Sequence, residues 1–207
     1  VVGSLEAIAD SMPKTRSRTI EIADRVLPEG TLTPESLATA LAILQPENAI
    51  VVETAATTGF AYFPPATDAP PHTYMTLTGG AIGQGPANAV GAAIACPDRK
   101  VINFQADGSA AYTVQALWNQ ARDGLDVITV ICANQKYRVI EMELANSGVE
   151  EMGPNARALT SLDTLDWTCL AKGFGVPACA VDTVEDFAAA FVRAISEPGP
   201  MLIQANI

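Results

Sequence analysis

The sequence predicts an α/β fold: a parallel sheet with helices on both faces. Three observations carry that reading. Short apolar runs alternate with helical stretches from Thr33 to the end of the chain, the pattern of a parallel sheet with crossover helices. Two of those runs close on a polar residue. Val101-Ile102-Asn103-Phe104-Gln105 leads to Asp107, and residues 126–133 lead to Asn134, with a helical stretch over 110–122 between them. Small and polar turns follow the strands, as in residues 53–59, and ligands of open α/β sheets bind at that carboxyl edge.

Taken in order, Leu5, Ile8 and Met12 recur at helical spacing, so residues 1–12 read as the end of a helix. Residues 13–32 carry Pro, Thr, Arg and Gly with few paired apolar positions, and read as a linker. The domain division expected is thus 1–32, the tail of a preceding domain, and 33–207. Thr33-Pro34 starts a helix, with Thr as N-cap and Pro at the first helical position, running to about Leu44. Residues 49–52 are the first buried strand, and Pro64-Pro65 and Pro70-Pro71 mark an irregular connection. Residues 75–78 lead into a Gly-rich turn, Gly79-Gly80-Ala81-Ile82-Gly83, and a small-residue helix over 85–95, expected to be buried between the sheet and a partner. Residues 141–162 are mixed in character and read as a mobile cover. A helix over 167–172, a strand over 178–181, a helix over 184–196 capped by Thr183, and a strand over 201–205 complete the pattern.

Composition sets bounds on function. With 207 residues, 49% hydrophobic and 17% charged, the chain is long enough for one sizeable core and too apolar to be disordered. A net charge of −11 argues against nucleic-acid binding, which needs a basic patch. No apolar run reaches membrane-spanning length, and no charged-then-apolar leader opens the chain. Val1 is not an initiator Met, so the chain reads as processed, truncated or renumbered. Cys96, Cys132, Cys169 and Cys179 are widely spaced and the one histidine is His72, which argues against a zinc site built on Cys and His. Free thiols fit a reducing, cytoplasmic setting. His72, Trp118 and Trp167 are read as structural, the two tryptophans as core.

The chemistry lies at the strand ends. Asp107 and Asn134 offer hard oxygen atoms suited to Mg²⁺ or Ca²⁺. Gly108 and Ser109 open a helix, whose first N–H groups suit an anion. A divalent metal beside a helix start makes a seat for a diphosphate. Asp107 as a mere helix cap, and Asn134 as a mere strand end, are the simpler alternatives.

The sequence Ala106-Asp107-Gly108-Ser109, followed 27 positions after the Asp by Asn134 in Cys132-Ala133-Asn134-Gln135-Lys136-Tyr137, resembles the thiamine diphosphate (ThDP) motif. With residues 77–85 and Gln115-Ala116-Leu117-Trp118, the likeness runs from Thr33 to Ile207. It is similar to the C-terminal, diphosphate-binding (PP) domain of ThDP-dependent enzymes of the acetolactate synthase or benzoylformate decarboxylase type. Ala106 and Ala133 depart from the motif, where the family has Gly and Asn.

The resemblance implies a lyase or transferase acting on 2-oxoacids, by decarboxylation or carboligation. It implies that the side chains of Asp107 and Asn134, with the backbone carbonyl of Lys136, hold the metal. Ala55, Ala56 and Thr57 would meet the diphosphate, and Ser109 and the N–H groups of residues 108–110 its terminal phosphate. The Gly80 carbonyl would accept from the aminopyrimidine, and Ile82 would bend the cofactor between its rings. Tyr137 would line the cofactor site. Ile140, where yeast-type pyruvate decarboxylases carry an acid, would line the substrate pocket. Arg138 reads as a solvated surface residue, with a substrate carboxylate as the alternative partner. The Glu that protonates the pyrimidine belongs to a separate pyrimidine-binding (PYR) domain in this family. The chain is therefore expected to work only within a homo- or hetero-oligomer that supplies one. The alternative is a non-catalytic diphosphate-binding or assembly module.

Overall fold

The computed structural model describes residues 25–207 and, before them, only Gly3, Ala7, Asp10 and Ser11, all helical. The expectations for Leu5, Ile8, Met12 and residues 13–24 lie outside the described residues.

Helix α1 (Pro34–Leu44) starts where the capping signal placed it. The Thr33 hydroxyl accepts from Ser36 N, and the Ser36 hydroxyl accepts from Thr33 N. Then follow β1 (Ile50–Thr54), the short helices α2 (Thr57–Phe60) and α3 (Phe63–Ala66), β2 (Thr73–Thr76), α4 (Gln84–Ala95) and β3 (Val101–Ala106). The stretch expected as one helix over 110–122 is broken into α5 (Asp107–Ala110), a 3-10 turn (Ala111–Thr113) and α6 (Ala116–Arg122). The cover expected over 141–162 is mostly helical: α7 (Arg138–Asn146) and α8 (Pro154–Thr160) follow β4 (Val127–Ala133). The chain closes with α9 (Trp167–Gly173), β5 (Ala178–Val181), α10 (Val184–Ser196) and β6 (Met201–Asn206). Thr183 caps α10, accepting from Asp186 N at 3.2 Å, a bond of a kind worth about 1 kcal/mol.

Among the described residues six strands form one parallel sheet, in the order β2-β1-β3-β4-β6-β5. Alternation along the strands explains the layers. Val51, Ile102, Phe104, Ile128, Val130 and Ile203 face α1 and α10, meeting Leu37, Leu41, Phe187 and Phe191. The other face carries Ile50, Val52, Val101 and Val127 beneath α4, and Ile131 and Leu202 beneath α6 and α9. Chain direction across the sheet reverses between β1 and β3, since β2 lies on one side of β1 and β3 on the other. That reversal opens a crevice at the carboxyl ends of β1 and β3.

Some expectations change. Leu32 is buried, its N–H donates to Asp182 O, and Thr31 bridges Thr183, so residues 30–32 pack on this domain rather than leading loosely to it. Trp167 is core, but Trp118 is half-exposed, with the Arg122 guanidinium 4.7 Å from its ring centre. The helix break before Ala116 turns Trp118 outward while Leu117 takes the core position. His72 is structural as expected, its ring nitrogens paired with Pro70 O at 2.8 Å and the Tyr62 hydroxyl at 3.3 Å. The four cysteines are free. Among the described residues no helix is long and apolar enough to cross a membrane.

Candidate functional site

Asp107 is the first residue after β3, and Asn134 the first after β4. The β3–β4 register pairs Ala106 with Cys132, so the two polar residues emerge side by side at the same edge. Asp107 is buried at 2% exposure. One of its carboxylate oxygens accepts from Gly108 N and the other from Gln135 N, each at 2.7 Å. Burial pushes its pKa up, and those backbone donors oppose the shift. The Asn134 side-chain Oδ1 accepts from Lys136 N at 3.1 Å, and the Lys136 main-chain oxygen accepts from Arg138 N at 3.0 Å. Each of these oxygens has a further lone pair for a hard cation. Carboxylate, carboxamide and carbonyl oxygen form the donor set that suits Mg²⁺.

These groups border a cavity of about 490 Å³ at the crevice. Its lining brings together Ala56 and Thr57 from the β1 exit, Gly80 and Ile82 from the glycine turn, and Asp107, Gly108 and Ser109 from α5. Asn134, Lys136, Tyr137, Arg138 and Ile140 line it from the segment after β4. Ala55 and Ala110 do not line it. Ala55 is buried beneath the loop with its N–H held by Glu53 at 2.7 Å, and Ala110 packs into the core beside Leu117. Thr57 and Ser109 stand in the first turns of α2 and α5, where main-chain N–H groups have no partner within the helix.

The glycine turn needs its glycines. Gly79, Gly80 and Gly83 all have positive φ, between 62° and 90°. Gly83 N donates to the Ser109 hydroxyl at 3.2 Å, and that hydroxyl donates to Thr54 at 3.2 Å. Its single proton is thereby committed, so the Ser109 side chain ties the glycine turn and α5 to β1. The Tyr137 ring packs close against Gly108 and leaves no room there for a Cβ.

The lining includes residues that the sequence did not single out: Tyr112, Val139 and Leu159. Val139 and Ile140 are half-exposed in the first turn of α7, which begins three residues before the expected cover. Leu159 lies on α8, which Tyr137 N holds against the site through Thr160 O at 2.8 Å. Arg138 is exposed and paired with Glu141 at 3.2 Å.

The sequence profile described as "Thiamine pyrophosphate enzyme, C-terminal TPP binding domain" matches residues 54–205. A Mycobacterium tuberculosis protein with the provisional name acetolactate synthase large subunit IlvX is 45% identical over 208 residues, covering 99% of this chain and 40% of that protein. Benzoylformate decarboxylase of Pseudomonas aeruginosa is 33% identical over 175 residues, covering 84% of this chain and 32% of that one. Among solved structures, the ThDP-dependent 4-hydroxybenzoylformate decarboxylase of Rhodococcus jostii RHA1 superposes with a TM-score of 0.81 at 30% identity, over 99% of this chain and 38% of that chain. The chain therefore spans about two fifths of the length of relatives that it matches almost end to end. Profile, sequence and fold agree on one conclusion: this chain belongs to the thiamine pyrophosphate enzymes and is their C-terminal, cofactor-binding domain.

Proposed function

We propose that the chain is the ThDP- and Mg²⁺-binding part of a 2-oxoacid decarboxylase or carboligase, active only together with a PYR domain. The observation that carries the reading is the single cavity in which Asp107, Asn134, the α5 turn and the Gly80–Ile82 turn meet.

In this reading the side chains of Asp107 and Asn134 and the Lys136 carbonyl hold the cation, which offsets diphosphate charge. Thr57 and Ser109 present first-turn N–H groups to phosphate oxygens. Gly80 and Ile82 orient the cofactor's rings, and the cofactor supplies the carbanion chemistry. Val139, Ile140 and Leu159 give the substrate an apolar wall that excludes water, which favours loss of a carboxylate as neutral carbon dioxide. The donor that must reach the pyrimidine is a carboxylic acid within hydrogen-bond distance. Asp107 and Glu53 are both engaged with other groups here, which supports a donor from the apposed domain.

The test is reconstitution. Residues 1–207 are assayed with ThDP, Mg²⁺ and 2-oxoacids, with and without a PYR domain, following carbon dioxide release and ligated product. Turnover is expected only with the added domain, and a partner whose Glu is changed to Gln should not restore it. Robust turnover by the chain alone would overturn the reading. Cofactor binding without turnover in any assembly would favour the non-catalytic module.

A further inference from the structure

Glu53 is a buried carboxylate to which the chemistry above assigns no role. It is 6% exposed, and no ion pair among the described residues involves it. Its partners are neutral donors from three directions. Oε1 accepts from Ala55 N at 2.7 Å, and Oε2 accepts from the hydroxyls of Tyr74 at 3.0 Å and Thr76 at 3.2 Å. Helix α2 sits directly on it, since a Cβ on Gly59 would fall 1.9 Å from Oε1. An ionised group is costly to bury, and donors on both oxygens are the condition for keeping it there.

The loop it grips is strained. Ala56 has φ 52° and ψ −113°, a conformation that residues with a Cβ rarely adopt. Such outliers persist where the surroundings over-determine them, and they gather at binding sites. Ala56 lines the cavity, and Ala55, one residue earlier, is pinned from below by Glu53. Tyr74 and Thr76 belong to β2, which pairs with β1 through Glu53↔Thr76. The carboxylate thus joins β1, β2 and α2 beneath a cavity-facing loop.

We propose that Glu53 is a positioning residue for the cofactor loop, its carboxylate holding residues 55–57 in the conformation that presents Ala56 and Thr57 to the cavity. This rests on the cavity being the diphosphate site. Glu53 touches neither cofactor nor substrate; it acts through Ala55 and Ala56.

The experiment uses the complete enzyme containing this chain. Calorimetric titration with ThDP in the presence of Mg²⁺ gives Kd, melting of the cofactor-free protein gives stability, and kcat is taken at saturating ThDP. Glu53→Ala should weaken ThDP binding about ten-fold or more, the scale of a lost charge-assisted bond. Glu53→Gln can still accept from Ala55 N while its amide donates to the hydroxyls, so it should recover most of that loss. Both should keep kcat at saturation within about two-fold, because Gly80 and Ile82 orient the reacting rings. Ala56→Gly tests the same loop with little risk to folding. It should leave cofactor-free stability equal or higher, because the strain is relieved, yet weaken ThDP binding several-fold through loss of preorganisation. Wild-type Kd in Glu53→Ala or in Ala56→Gly would overturn the proposal, as would a loss confined to melting temperature or to kcat. Should Glu53→Ala not fold, Ala56→Gly and Glu53→Gln decide. A wild-type enzyme that binds no ThDP would instead sink the reading of the cavity itself.

Discussion

The carboxylate of Asp107 accepts the main-chain N–H of Gln135 at 2.7 Å, locking the end of β3 to the turn after β4. Gln135 has φ 59°, so the turn that carries Asn134 and Lys136 is held in a left-handed bend by the same side chain expected to meet the cation. In the proposed reading, metal ligand and scaffold are one residue.

Asp107→Ala should therefore remove the metal dependence of cofactor binding. In wild-type enzyme assembled with its partner domain, ThDP affinity should fall sharply when Mg²⁺ is chelated, because diphosphate repulsion is left uncompensated. In the variant, affinity should be low with or without Mg²⁺. Isothermal titration in both conditions checks it, and an unaffected variant removes Asp107 from the ligand set.

Ile82 is half-exposed at the cavity wall and makes no side-chain polar contact. Ile82→Ala should leave ThDP affinity nearly unchanged, because the anchor lies at the diphosphate. Turnover at saturation should fall by about ten-fold or more, since the cofactor's reactive conformer is less enforced. The opposite split, weaker binding with unchanged kcat, would make Ile82 an anchor.

β3 was read as an apolar run, yet its α4-facing side carries a buried polar row. Gln105 donates to Asn103 at 2.6 Å, Asn103 donates to Thr129 at 3.2 Å, and Thr54 donates to Gln105. Asn103→Ala would leave Gln105 Nε2 with only a 3.4 Å bond to Val52 O. The expected loss is about 1–3 kcal/mol of folding stability, read as a lower urea midpoint at unchanged m-value. A loss under about 0.5 kcal/mol would show that water or side-chain rotation satisfies the amide.

Asp166 caps α9, accepting from Cys169 N and from the Thr168 hydroxyl, each at 2.8 Å. Those donors push its pKa down to about 2, from an ordinary 3.8. A carboxylate depressed on folding stabilises above its unfolded value and loses that contribution as pH falls through its folded one. Asp166→Asn should therefore melt below wild type near neutral pH, with the gap closing between about pH 4 and pH 2. A pH-independent gap would mean that Asn is simply a poorer cap.

The order of strands and helices, the Thr33 and Thr183 caps, and the Asp107–Asn134 pair at one sheet edge were legible in the sequence. They depend on local chemistry: apolar alternation, side-chain oxygens that satisfy free N–H groups, and turns after strands. The family motif added the glycine turn and Ile82. Tertiary structure decided the rest. It broke the helix after Asp107 and turned Trp118 outward. It made helices α7 and α8 of the expected cover. It sank Ala55 and Ala110 into the interior, away from the cavity lining, and brought Tyr112 and Leu159 to the cavity wall. Glu53 shows the reason most plainly. Its partners Ala55, Tyr74 and Thr76 meet only because β1 pairs with β2 across an intervening helical segment. A local window records which residues can donate and accept. Which of them face each other is set by strand register and by the helix packed above, and those are properties of the folded sheet.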